Sequence, residues 1–184
     1  MSLHRRAVLP LLIAAVTALS SPQPAQAQSA YFFPQATEAA AFDTSIPTPE
    51  QFLGYPIGSR YTRHDQLVAY FQELAKRSEK ISVREIGRSY EGRPLLIATV
   101  TAAGNQARLE QIRQQHATLV DPAQPRSAAG DSPVVVWLGY SVHGNETSSA
   151  EAAMLTAYYL VANQNADTRQ WLQQAVVPVS YTHL

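Results

Sequence analysis

The chain has 184 residues, 14 Lys and Arg against 14 Asp and Glu, and no cysteine. That length suffices for one hydrophobic core, and the missing thiols exclude disulfides and thiolate metal sites. The balanced charge offers no basic field for nucleic acid or an anionic membrane, and without thiolates any metal must be held by His, Asp or Glu.

Residues 1–27 read as an export signal, with basic His4, Arg5 and Arg6, an apolar core from Ala7 to Leu19, and Ala25-Gln26-Ala27 as a small-x-small cleavage site. The apolar run is short and broken by Pro10 and Thr17, which argues against a stable membrane anchor. Arg5-Arg6 fits an ordinary basic region better than a twin-arginine signal. The expected destination is periplasmic or extracellular. Removing Arg5 and Arg6 with the leader leaves 12 basic side chains against 14 acidic, a net charge of about minus two.

Residues 28–60 are rich in Pro, Ala, Ser and Thr with scattered aromatics, and Pro34, Pro47 and Pro49 preclude long regular structure. An irregular extension is expected. Leu67, Tyr70, Phe71 and Leu74 then recur at helical spacing and predict a surface helix over 65–78. Ile81–Ile86 and Pro94–Val100 follow as two strands, joined by a turn in which Arg88, Glu91 and Arg93 are read as solvated. Asn105–Leu119 is amphipathic and helical, with His116 a packed or surface histidine, and His64 is read as a cap or surface residue before the first helix. A Pro, Ala, Gly and Ser loop leads on to residue 132.

Val134 to Leu138 is a continuous apolar run, the pattern of a strand covered on both faces. It gives way to the polar corner His143-Gly144-Asn145-Glu146. Ser148 and Glu151 stand at the spacing of a capping box, so a helix starts near Ser148 and runs apolar nearly all round to Ala162. A short helix over 167–174 and an apolar strand from Ala175 complete the pattern. Alternating strands and helices, joined by both a hairpin and helical crossovers, predict one α/β domain over 61–178 with a mixed β-sheet flanked by helices.

His143 and Glu146 fall between the end of a strand and the start of a helix, where open α/β sheets place ligands. An imidazole and a carboxylate at H-x-x-E spacing can close on one zinc ion. The same spacing also suits a hydrogen-bonded turn with an acid favouring a helix N-terminus. Residues alone leave both readings open.

The segment SVHGNETSSAEAAM resembles the first metal-binding segment of the M14 zinc carboxypeptidases. IGRSYEGRPLLIATV, Ile86 to Val100, resembles the hairpin of the same family, whose turn has the form S-x-E-G-R-P, and TPEQFLGYPIG resembles the lead-in of some bacterial members. The resemblance spans Pro47 to Val177. It implies the carboxypeptidase fold, truncated, in an N-terminal fragment of an exported bacterial metallocarboxypeptidase. Such an enzyme hydrolyses peptide bonds of peptide or protein substrates by zinc-activated water, with Zn2+ held by His143, Glu146 and a further histidine. The third ligand, the general base and the oxyanion-stabilising arginine map onto no residue here, so no catalytic residue is assigned and the fragment is expected to be inactive. A zinc-dependent amidase or deacylase, or a non-catalytic extracytoplasmic binding protein of the same fold, stands as the alternative. The oligomeric state is not legible.

Val179 to Leu184 is the translation of one frame of a transposon-end adapter used in DNA library preparation. The native segment is therefore expected to end near Val177, with 179–184 a non-native tail and His183 not counted as a ligand.

Overall fold

Two strands rich in β-branched and aliphatic residues, β1 (Ile81–Arg88) and β2 (Pro94–Val100), pair antiparallel with Ile81 opposite Val100 and Arg88 opposite Pro94. The turn between them closes through Gly92 N–H to Ser89 O at 2.9 Å and Ser89 N–H to Arg93 O at 2.8 Å. Gly92 has φ of 78°, a left-handed conformation that glycine adopts without a Cβ clash. In this computed structural model, residues 32–33, 41–123, 132–146 and 148–181 are described. The chain divides into units 1–34 and 35–184. The sheet and the helices flanking it lie in the second.

Its remaining elements are α1 (Pro49–Leu53), α2 (His64–Arg77), α3 (Ala103–Gln106), α4 (Leu109–Val120), β3 (Val134–Val135), β4 (Leu138–Tyr140), α5 (Ser148–Ala162), α6 (Ala166–Gln174) and β5 (Ala175–Tyr181). The sheet order is β1-β2-β5-β3, with β4 also pairing with β5. β5 runs antiparallel to β2 and parallel to β3 and β4. The sheet is therefore mixed and flanked by helices, as the alternation of patterns predicts.

Helix α2 buries Leu67, Tyr70, Phe71 and Leu74, the four residues of its apolar stripe. It packs on α5, which buries Ala153, Met154, Ala157 and Val161 and also touches β2, β4 and β5. Inside the stretch expected to be irregular, α1 forms because Thr48 and Gln51 make a reciprocal capping box and Gly54 ends the helix with φ of 76°. A strap at residues 41–43 covers the C-terminal end of α5. Asp43 N–H reaches Ala162 O at 2.8 Å, Lys80 Nζ donates to Val161 O at 3.0 Å, and Phe42 stacks on Tyr158. These bonds satisfy carbonyls that the end of a helix leaves unpaired.

The single helix expected over 105–119 is two, α3 and α4. Asn105 turns inward, its Nδ2 donating toward Thr101 Oγ1 at 3.0 Å, Leu172 O at 3.2 Å and Gln173 O at 3.0 Å. The Thr101 hydroxyl in turn faces the carbonyls of Leu172 and Ala175. This buried network ties the end of β2 to the junction of α6 and β5.

The largest departure is at Val134–Leu138, where one strand covered on both faces was expected. Two short strands stand there, and Val134, Val135, Val136 and Trp137 are 58, 49, 44 and 69 % exposed. The cause is position in the sheet: among the described residues β3 and β4 pair only with β5, so they form its edge. β5 runs through Val179, Ser180 and Tyr181, all buried, while His183 lies outside the described residues.

Candidate functional site

The polar corner begins where β4 ends. Tyr140 anchors the strand end to α5 through its hydroxyl, 2.9 Å from Thr156 Oγ1. Ser141 is buried and has φ of 56°, the one positive-φ non-glycine among the described residues. A left-handed serine costs roughly 1 kcal/mol or more, and here it turns the chain sharply out of the sheet. Glu146 N–H then donates to His143 O at 3.1 Å, and Ser149 N–H to Glu146 O at 3.2 Å, so the corner runs straight into the first turn of α5.

His143 and Glu146 are both exposed, and neither side chain is engaged in a hydrogen bond among the described residues. Imidazole and carboxylate are the donor types zinc takes, and both are available on one tight turn. They fit two positions of a ligand set. Among the described residues no group of three or more His, Cys, Asp or Glu side chains could hold a metal ion. His143 and Glu146 are thus two candidate ligands without a third among the described residues.

Glu146 also lines a cavity of about 750 Å³, within the size range of small-molecule sites. Its wall is completed by Tyr61, Thr62 and His64 from the lead-in and first turn of α2, Arg93 from the hairpin, and Ala150 from α5. His143 is not on that wall. Arg63 pairs with Asp65 (2.8 Å) and Arg93 with Glu91 (3.0 Å), both at exposed positions where such pairs add little stability. Arg88, Glu91 and Arg93 are exposed as expected of a solvated turn.

Two residues behave differently from the sequence reading. His64 is not a surface cap: it is the first residue of α2, buried, with Nε2 2.9 Å from Pro94 O. A carbonyl only accepts, so Nε2 carries the proton and Nδ1 is the bare nitrogen. Burial holds the imidazole below its ordinary range, and the bond to Pro94 offsets this only in part. The unfolded chain therefore takes up the proton first. Stability present above the unfolded pKa of about 6.5 is lost as pH falls through the lower folded value. His64→Gln, which keeps a donor for Pro94 O, is expected to flatten the fall in urea midpoint between pH 7 and pH 5. An unchanged slope would show that His64 does not drive it.

The second is Glu151. The expected capping box with Ser148 does not form, because Ser148 is already the first helical residue and Glu151 lies one position too far along. Its carboxylate instead accepts Thr62 N–H at 2.9 Å, across 89 residues of sequence. His116 is a packed histidine, with Nε2 2.8 Å from Pro133 O, tying α4 to the approach to β3. No helix among the described residues is long and apolar enough to cross a membrane.

Comparison with known proteins adds a family. No curated protein matches the chain. Among solved structures, the crystal structure of carboxypeptidase A from Helicoverpa armigera matches with 20% identity and a TM-score of 0.48, covering 78% of this chain and 28% of that one. The chain thus spans little more than a quarter of that protein's length. The zinc carboxypeptidase family model, Peptidase_M14, matches residues 67–180, which include β1, β2, the polar corner, α5 and most of β5. With more than half of its length matched, the chain belongs to the M14 zinc carboxypeptidase family.

Proposed function

We propose that the chain carries the first metal-binding segment of an exported bacterial zinc metallocarboxypeptidase acting on peptide or protein substrates, with His143 and Glu146 as two of the zinc ligands. The observation that carries this reading is the placement of two unengaged side chains of the right chemistry on one turn between β4 and α5, inside the family match. When bound, zinc supplies a Lewis acid and lowers the pKa of a bound water. His143 would bind through a neutral imidazole nitrogen and Glu146 through its carboxylate. The cavity beside Glu146 leaves room for a substrate segment next to the ligands. Export rests on the basic, apolar and small-residue order of residues 1–27.

With two ligands the 184-residue chain is expected to bind zinc weakly and to hydrolyse no peptide. Titration of zinc against a chromophoric chelator tests this, with His143→Ala and Glu146→Ala each expected to weaken binding by at least about tenfold. Wild-type affinity in both variants would remove the ligand assignment. Chelator-sensitive cleavage of a short peptide by this chain would show that a more complete centre is present.

A further inference from the structure

Glu151 is the acidic residue in α5 whose burial needs a reason. It is 9 % exposed, and taking a carboxylate out of water is unfavourable unless hydrogen bonds and fixed dipoles compensate. An aliphatic side chain at this position would pack between α5 and the lead-in to α2 without that penalty. What the carboxylate adds is direction: its Oε1 accepts Thr62 N–H at 2.9 Å, from a residue that is itself 3 % exposed. The N-terminal turn of α5 also offers its positive dipole end to the charge.

The bond joins two parts of the candidate site. On one side, Thr62 stands among residues 61–64, which form one wall of the cavity. On the other, Glu151 sits in the first turn of α5, which continues from the corner through Ser149 N–H to Glu146 O and Glu146 N–H to His143 O. Glu146 and Ala150, from the corner and that turn, face the same cavity. Movement of the α5 N-terminus relative to Thr62 would therefore move Glu146 against the opposite wall.

We infer that Glu151 is a positioning residue of the candidate metal site, clamping the lead-in to α2 onto the turn that carries His143 and Glu146. This rests on the metal reading above. A purely structural Glu151 would stabilise the fold without linking Thr62 to the metal turn, so the test reads that linkage. In isotope-labelled 184-residue chain, zinc is titrated while the His143 ring resonances and the exchange rate of the Thr62 amide are followed by NMR. Zinc is expected to shift the His143 resonances and to slow Thr62 exchange in the wild type and in Glu151→Gln, which keeps an acceptor oxygen. Glu151→Ala is expected to lose the Thr62 response and to bind zinc about tenfold more weakly.

If Glu151→Ala lowers thermal stability yet binds zinc with wild-type affinity, Glu151 serves the fold alone and the inference fails. Should that variant not fold, the wild-type response decides: zinc that shifts His143 but leaves Thr62 exchange unchanged also defeats it. If zinc leaves His143 unshifted in the wild type, the metal reading itself falls and this inference with it.

Discussion

Tyr70→Ala is expected to remove about 4 kcal/mol of stability, the range found when a buried aromatic is cut back to a methyl group. Tyr70 is fully buried in the middle of α2. Its ring lies 5.2 Å from that of Phe52 in a tilted arrangement, and its hydroxyl donates to Pro47 O at 3.0 Å. One side chain thus holds α2, α1 and the strand-like lead-in to α1 together. Removing the ring leaves a cavity under α1, and neighbours fixed by Pro47 and Pro49 have little freedom to fill it. Tyr70→Phe keeps the ring and orphans only the bond to Pro47, so about 1 kcal/mol is expected from it. Urea unfolding of the two variants checks both figures. Equal losses would mean that the hydroxyl, and not the ring, is what the core depends on.

Asn105→Ala is expected to be the next most damaging change, at about 2 to 3 kcal/mol. The amide of Asn105 serves Thr101 Oγ1 and the carbonyls of Leu172 and Gln173 from a buried position. Leu172 O keeps Ala102 N–H at 2.9 Å after the substitution, but Gln173 O loses the amide. Thr101→Val, which keeps shape and removes the hydroxyl, should cost about 1.5 kcal/mol because the Ala175 carbonyl then loses its partner. The two changes share one network, so the double variant should lose less than the sum of the singles. Strict additivity of the urea-derived values would show that the two side chains act independently.

Helix α2 and the β1–β2 hairpin were legible because each carries its own periodicity or turn chemistry, and α5 and the start of β5 because each is an apolar run bounded by polar residues. The turn at His143–Glu146 between β4 and α5 was legible as well, since it is local. What escaped was set by distant partners. Asn105 looked like an ordinary helical residue, yet its amide meets the carbonyls around residue 172, and the helix breaks two residues later between α3 and α4. Glu151 matched a local capping pattern, yet Thr62 takes its carboxylate. The run from Val134 to Trp137 carried the composition of a buried strand, and only strand order shows that it lies at the sheet edge. His64 gave no sign of burial because its shield, Pro94 and Tyr181, comes from two other strands.

The strand order also governs how the sheet can assemble. β5, the last of the described strands, is the one that stands between β2 and β3. During synthesis the β1–β2 hairpin closes early through contacts close in sequence, but one side of β2 stays without a neighbour until residues 175–181 emerge. β3 and β4 have nothing described to pair with until the same moment. Pairing of β2 with β5 therefore waits on contacts of high sequence separation, such as Val100 with Val177, which slow folding. Throughout that interval the nascent chain carries unpaired, valine-rich strand edges, the features that recruit other chains into aggregates.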